Sequence, residues 1–408
     1  MGIVLLLLSI FNTKIRANYY NSYKQLFKLL KLSDDIKKSN KKVLMFHAAS
    51  AGEYEQIKPI LRGINRSEFF IVQTFTSPTI FNIESLYGED LYDLKCYHPF
   101  DVFWLSYAFF KIIRPEKYII TRHDLWPGHI LMANHFQIPI YYINANIHKN
   151  SIWYNPYMAS ITKYFFNKIH RFIVPSLYIE ENLYHILPTI KPLIVQDTRF
   201  NQIVHLKRTR KQDKLTNQYD IPRNEVITFG SIDDIDEKLI FKILPIIIEG
   251  KKVILVPHEV DKKTIRRIEK QLNKLSVSYA RLSTQGMNFS KQVILVDTLG
   301  LLAHLYSMGT YAYVGGGFKR GVHSVLEPAA YNCLIACGPN IEMLDEAKLL
   351  KDRGHLFIIK EAIDLTVFTT STGATPNLMD SVSPIASDMI DVLCSDSSDN
   401  FNIPLHQS

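Results

Sequence analysis

The sequence predicts an α/β protein made of two successive doubly wound parallel sheets. From Val43 onward, short apolar runs alternate with stretches whose apolar residues recur at helical spacing, the pattern of parallel strands covered by helices. The chain has 408 residues, more than one core ordinarily supports, so it should divide. The alternation breaks once, at a polar stretch from Lys207 to Gln218, and then resumes.

In the first half, buried strands are expected at Val43–His47, Phe69–Phe75, Lys117–Thr121, Ile138–Asn144 and Arg171–Pro175. In the second half they are expected at Val226–Gly230, Lys252–Pro257, Val293–Asp297, Tyr311–Val314 and Cys333–Cys337. The resulting plan is an amino-terminal segment (1–40), a first α/β domain (41–206), a linker (207–222), a second α/β domain (223–368) and a carboxy-terminal extension (369–408). The extension is rich in Ser, Thr, Asp and Asn, with one helix expected around Ile385–Leu393. Doubly wound sheets bind ligands at the carboxyl ends of their strands, so two such domains are expected to face one another across a cleft.

The amino terminus supports two readings. Ile3 to Phe11 is apolar apart from Ser9, about half the length a membrane span needs, and it lacks the charged start and small-residue cleavage site of a signal peptide. Beyond it Tyr19, Tyr23, Leu26, Phe27 and Leu30 recur at helical spacing beside Lys24, Lys28 and Lys31. That suits an interfacial helix, with snorkelling lysines and tyrosines at headgroup level, and equally a surface helix packed on the body.

With 47 basic and 39 acidic residues the chain carries a net charge of +8, which favours an anionic partner. The basic residues are dispersed and accompany no nucleic-acid-binding motif, so a phosphate-bearing ligand or an acidic lipid surface ranks above nucleic acid, and no nucleic acid is expected. The four cysteines form no C-x-x-C pair or Cys/His cluster, so reduced thiols are expected and no zinc site.

The strongest local motif is the run from Tyr313 to Pro328. There a strand passes into Gly315, Gly316 and Gly317, then Lys319, Arg320, His323, Ser324 and Glu327. Glycines let backbone N–H groups approach an anion, and a helix N-terminus adds partial positive charge. Lys319 and Arg320 can neutralise a phosphate, and Glu327 can grip ribose hydroxyls. Ser324-x-x-Glu327 is also the pattern of a helix capping box, although Pro328 sits awkwardly in that register. The glycine spacing is neither a dinucleotide fingerprint nor a P-loop.

The second motif is His47-Ala-Ala-Ser50-Ala-Gly52-Glu53, directly after the first strand. Small residues leave room for a substrate and Gly52 permits a tight turn. Glu53 at a helix start is a general base if burial keeps its pKa high; otherwise it is a first-turn carboxylate complementing the helix dipole. Third come Arg122, His123 and Asp124 before Trp126-Pro127, at another strand's carboxyl end. Gln196 to Phe200, including Arg199, and Pro257-His258-Glu259 also follow apolar runs.

Read together, these segments resemble the 3-deoxy-D-manno-octulosonic acid (Kdo) transferases of lipid A assembly. The resemblance is collinear from near Leu5 to about Asp364. It passes through His47–Glu53, Gln73–Pro78, Asp124–Pro127, Asp197–Phe200, Gly230-Ser231, Pro257–Glu259, Asp297–Gly300, the glycine segment through Ala329, Gly338–Asn340 and Glu346-Ala347. Membership implies a GT-B fold and inverting transfer from CMP-Kdo to a lipid A precursor such as lipid IVA. It also implies work at the cytoplasmic face of the bacterial inner membrane, with no metal and no cofactor. By position it implies Glu53 as general base, and Ser50, Gly52, Arg122 and Asp124 on the acceptor side. Arg199, His258, Gly316, Gly317, Lys319, Arg320, Ser324 and Glu327 fall on the donor side. The chain departs from the family pattern at Arg122, where a carboxylate is usual, at Asp124 in place of Glu, and at Ser324 in place of Asn. Two other readings stay open: a GT-B-like nucleotide-sugar 2-epimerase, and a non-catalytic relative that binds only nucleotide or membrane.

Overall fold

Two all-parallel seven-stranded sheets organise the chain, each with its strand order reversing once. The structure, a computed structural model, describes residues 24–395 apart from 25, 27, 31, 32, 35, 79, 83–89, 150, 210–220, 320 and 372–385. The first sheet comprises β1 (Lys42–Ala48), β2 (Phe69–Phe75), β3 (Leu94–Tyr97), β4 (Lys117–Thr121), β5 (Ile140–Ile143), β6 (Arg171–Val174) and β7 (Leu193–Ile194). Its order is β3-β2-β1-β4-β5-β6-β7, so the direction of winding reverses between β1 and β4. The second comprises β8 (Val226–Ile232), β9 (Lys252–Pro257), β10 (Tyr279–Arg281), β11 (Val293–Leu295), β12 (Tyr311–Val314), β13 (Leu334–Cys337) and β14 (Leu356–Ile358). Its order is β10-β11-β9-β8-β12-β13-β14, with the reversal between β8 and β12.

Alternate residues of each strand enter different apolar layers, because side chains point to opposite faces of a pleated sheet. In the first sheet Met45, Val72, Ile120 and Tyr142 join one buried cluster, and Leu44, Phe46, Ile71, Ile119 and Tyr141 join another. In the second, Ile227, Phe229, Val253 and Leu255 face one cluster while Val226, Ile254, Val256 and Ile294 face the other. Both faces of each sheet are therefore buried, which is why the strands read as continuous apolar runs.

The described residues form two compact units, one up to Gln202 that includes the helix Ala386–Cys394, the other beginning at Ile203. That closing helix falls in the stretch read from sequence as a separate extension. Met389, Val392 and Leu393 pack with Tyr54, Ile57 and Ile60 in one cluster. Lys117, buried at the start of β4, donates from Nζ to the carbonyls of Leu393 (3.0 Å) and Ser395, capping the helix's C-terminal end.

The expected linker is entered by a helix, Arg199–Thr209, and its residues 210–220 lie outside the described residues. So do Ile3–Phe11, Tyr19, Tyr23, Phe27 and Lys31 of the amino-terminal segment. Of that segment's described residues, Leu29 and Ile36 are buried in the first unit's core with Leu26 against them, and Lys24 and Lys28 are exposed. Among the described residues no helix is long and apolar enough to cross a membrane.

Candidate active site

In the first unit, the reversal between β1 and β4 brings the second and third motifs together. β1 ends at Ala48, and the helix Ala51–Gly63 starts three residues later with Ser50 as its N-cap. Ser50 Oγ accepts from Glu53 N (3.4 Å). Glu53 Oε2 accepts from Ala49 N (2.6 Å) and Ser50 N (3.0 Å), completing a capping box. Ser50 thus shapes the turn. Gly52 is helical rather than a tight-turn residue, and a Cβ placed on it would meet nothing within 4 Å outside its chain neighbours and its own helix.

Glu53 is only 6% exposed. Burial is the main cause that raises its pKa above the ordinary carboxylate value; the charge of Asp124 adds to it, while His47 and the two backbone N–H groups pull the other way. Among the described residues its hydrogen bonds go to Oε2 alone.

At the end of β4, Arg122 holds a left-handed backbone (φ 63°), pinned by Arg122 N to Ile143 O (3.1 Å), by Asn146 N to its own carbonyl (3.3 Å) and by the Tyr142 hydroxyl. A non-glycine residue seldom adopts that region, and such conformers concentrate at functional sites. Asp124 follows. Its Oδ2 lies 2.7 Å from His47 Nε2 and accepts from Thr76 Oγ1 at 3.1 Å. Burial works to raise the Asp124 pKa, but bonds from His47, Trp126 and Thr76 outweigh it and hold the carboxyl below its usual range.

Arg199 belongs to this first unit as well. It grips the buried Asp197 through Nε (3.1 Å) and Nη2 (2.9 Å), while Gln56 Nε2 donates to both carboxylate oxygens (2.8 and 2.9 Å). Burial would raise Asp197; the Arg199 charge and hydrogen bonds, with Arg122 behind them, depress it instead.

In the second unit, a recess of about 360 Å³ opens at the carboxyl ends of β8, β9 and β12, a volume suited to a small ligand. It gathers Gly316, Lys319 and His258 of the residues expected from sequence, with Asp233, Asp234, Glu259, Arg267 and His323. Gly317, Ser324 and Glu327 are not among its lining residues, and Arg320 lies outside the described residues. Ser324 precedes the short helix Leu326–Ala330, whose N-cap is Val325, and that helix carries no side-chain cap.

The glycines serve mainly to bring backbones close. A Cβ on Gly315 would sit 2.3 Å from Ser231 O and 2.7 Å from Asp236 Oδ2, and Gly316 has φ 88°. Their amides are directed inward: Gly315 N donates to Gly230 O and Gly316 N to Asp236 Oδ2, both at 2.9 Å. Asp236, fully buried, also accepts from Asp233 N (2.9 Å) and the Tyr313 hydroxyl (2.7 Å), so one carboxylate ties the ends of β8 and β12 together. Burial raises its pKa, partly opposed by those hydrogen bonds.

Lys319 is paired with Asp234 and lies 3.7 Å from Asp233. His258 and His323 stack with ring centroids 4.3 Å apart, and burial, then His258, lowers His323 to about 4. Sequence reasoning missed Asp233, Asp234 and Asp236, although the acidic run Asp233-Asp-Ile-Asp-Glu237 after an apolar strand is a legible helix start. Among the described residues no group of three His, Cys, Asp or Glu side chains is arranged to hold a metal ion.

Two Rossmann-like units, each with a reversal of strand order and polar groups gathered at it, define a protein of the GT-B type. Solved structures agree on the fold. UDP-GlcNAc 2-epimerase from Methanocaldococcus jannaschii superposes with a TM-score of 0.60 over 86% of this chain and 99% of its own, at 12% identity. The enzyme from Neisseria meningitidis does so at 0.58, over 86% and 99%, at 13% identity.

Sequence comparison finds similarity to Kdo transferases. The 3-deoxy-D-manno-octulosonic-acid transferase (kdotransferase) family matches residues 21–202. The 3-deoxy-D-manno-octulosonic acid transferase of Chlamydia pneumoniae is 27% identical over 321 residues, covering 74% of this chain and 71% of its own. That of Aquifex aeolicus is 25% identical over 341 residues, covering 82% and 86%. Residues 21–202 are thus similar to the Kdo transferase family, and similarity to its curated members extends over most of the chain.

Proposed function

We propose that the chain transfers Kdo from CMP-Kdo to a lipid A precursor, with inversion and with Glu53 as general base, at the cytoplasmic face of the inner membrane. The observation that carries this reading is the Glu53 carboxyl. It is buried at the reversal point of the first sheet and raised in pKa, held through Oε2, with open space beside Gly52. A carboxylate so placed is more basic than a solvated one, and Oε1 takes the proton of an acceptor hydroxyl as that oxygen bonds to the anomeric carbon. The bond from that carbon to the CMP phosphate breaks, and CMP leaves with the electron pair.

The recess in the second unit suits the donor. His258 and His323 offer imidazole faces and edges to a nucleotide, and Lys319 reaches its phosphate or the sugar carboxylate once released from Asp234. Arg122 brings positive charge to the end of β4, which suits the phosphates of a lipid A acceptor.

The test is incubation with CMP-Kdo and a tetra-acylated lipid A precursor, read by mass spectrometry. The product should gain one or more Kdo masses with release of CMP. Bound CMP without any such gain would contradict the reading.

A further inference from the structure

The first unit has a further recess, on the edge of its sheet away from Glu53. It is a groove of about 960 Å³ at the amino ends of β1, β4 and β5, which lie side by side. Glu53 follows the carboxyl end of β1. That strand runs 7 residues at about 3.3 Å each, so about 20 Å of strand separates the groove from the carboxylate. Doubly wound folds gather their substrates at the carboxyl ends, so the groove is no part of that site.

Its charge is lopsided. Among the described residues Lys37, Lys41, Lys42, Lys111 and Arg114 line it against one acidic residue, Glu116. Lys41 Nζ donates to Arg66 O (2.6 Å), and Lys111 Nζ lies 5.6 Å from the Tyr107 ring centroid, so neither is met by a carboxylate there. Basic residues also have an ordinary reason to collect here, because a helix C-terminus carries about half a negative charge. Three helical segments end at the groove: the turns closing at Lys38, the helix Phe103–Ile113 and the helix Pro127–His135. Their ends and Glu116 supply about two and a half negative charges, so roughly half of the positive charge is left over.

The backbone at the rim points the same way. Asn40, Arg114 and Gln137, one in each helix-to-strand turn, hold left-handed conformations (φ 51°, 48° and 58°). Glycine fits that region without strain and asparagine nearly so, whereas arginine is strained there. An arginine at a cap that glycine would fill more easily contributes through its side chain. Val43, Ile113 and Ile138, all buried, and the half-buried Phe136 adjoin the cations, so the groove is amphiphilic.

We infer that this groove is a second ligand site, taking a phosphate ester with an apolar part. The phosphate lies among Lys37, Lys111 and Arg114, and the apolar part against Phe136 and Ile113. Arginine grips a phosphate through two N–H groups, and the lysines add point charges. A phospholipid headgroup and a soluble phosphate ester share this chemistry. The amino-terminal segment, with its apolar run Ile3–Phe11, leads into the groove through Ile36 and Lys37, so a membrane lipid is the expected source.

The experiment compares the full chain with a groove variant (Lys37→Gln, Lys111→Gln, Arg114→Asn) and a control variant (Lys262→Gln, Lys263→Gln, Lys270→Gln). The control removes as many exposed charges from the helix Lys262–Lys274 of the second unit. Each protein is cosedimented with phosphatidylcholine vesicles, with and without phosphatidylglycerol, and titrated calorimetrically with butyl phosphate. Wild type and control should bind the phosphatidylglycerol vesicles alike. Each charge lost near an anionic surface weakens binding about fivefold, so the groove variant should bind about a hundredfold more weakly. Arg114→Gly alone relieves the left-handed turn, so it should melt no lower than wild type and still bind about fivefold more weakly. Misfolding cannot produce both results.

Binding of butyl phosphate by wild type and control, lost in the groove variant, without any preference for phosphatidylglycerol, supports the site and makes a soluble ester its ligand. Equal weakening in groove and control variants overturns the site, because net charge then accounts for the attraction. So does a groove variant that binds both probes like wild type, or a wild type that binds neither.

Discussion

Asp236 is the residue on which the second unit's recess depends most heavily. One of its carboxylate oxygens accepts from Asp233 N and Gly316 N and the other from the Tyr313 hydroxyl, all within 2.9 Å. Asp236→Ala strands three buried donors. Each costs about 1–3 kcal/mol when left without an acceptor, and a water admitted to the hole recovers part, so a net loss of about 3–5 kcal/mol is expected. Asp236→Asn keeps an amide oxygen for the two N–H groups and turns its NH2 to the tyrosine oxygen, so its cost should be nearer 1 kcal/mol.

Burial raises the wild-type Asp236 pKa in the folded state. For a carboxyl shifted in that direction the folded state binds more protons. The wild type should therefore lose stability as pH rises from the unfolded value through the folded one, and Asp236→Asn should not show that loss. Urea denaturation at several pH values measures both effects, and calorimetric titration with CMP reports whether the recess survives. An Ala variant within about 0.5 kcal/mol of wild type, a difference too small for even one stranded donor, would refute the reasoning.

Two further outcomes follow from lysine contacts, one in each unit. The Lys319–Asp234 pair is largely exposed, so Asp234→Asn should change stability by less than about 1 kcal/mol. The same change should tighten CMP binding several-fold in a calorimetric titration, because Lys319 no longer has to be released. Lys117→Met leaves the Leu393 and Ser395 carbonyls uncapped inside the first unit, a cost of about 1–3 kcal/mol. Its hydrogen exchange should quicken first in the helix Ala386–Cys394.

The sequence made the interior of both sheets legible and their margins illegible, for a physical reason. Every interior strand announced itself as a continuous apolar run, because helices bury both its faces. The four strands that were missed, Leu94–Tyr97, Leu193–Ile194, Tyr279–Arg281 and Leu356–Ile358, are the edges of the two sheets. Edge strands are short and partly solvated, so Lys95 and Arg281 interrupt the apolar pattern on which strand reading relies.

The site divides the same way. His47, Glu53, Arg122 and Asp124 were visible because strand-to-helix junctions place side chains at the carboxyl ends of parallel strands. Their partners were not. Thr74 reaches His47 only because β1 and β2 pair in that register, and Asp236 reaches Gly316 only because β8 neighbours β12. The glycine run suggested amides presented to an anion, whereas those of Gly315 and Gly316 close the junction itself. Arg199, expected with the donor residues, sits on Asp197 in the first unit.

The measurement that bears most directly on the proposed chemistry compares wild type with Glu53→Gln, following Kdo transfer by mass spectrometry and CMP binding by calorimetry on the same preparations. Glu53 lies in the first unit and the recess in the second, so the substitution should abolish the Kdo mass gain while leaving CMP affinity unchanged. Transfer by Glu53→Gln at the wild-type rate would contradict the assignment of Glu53 as the base.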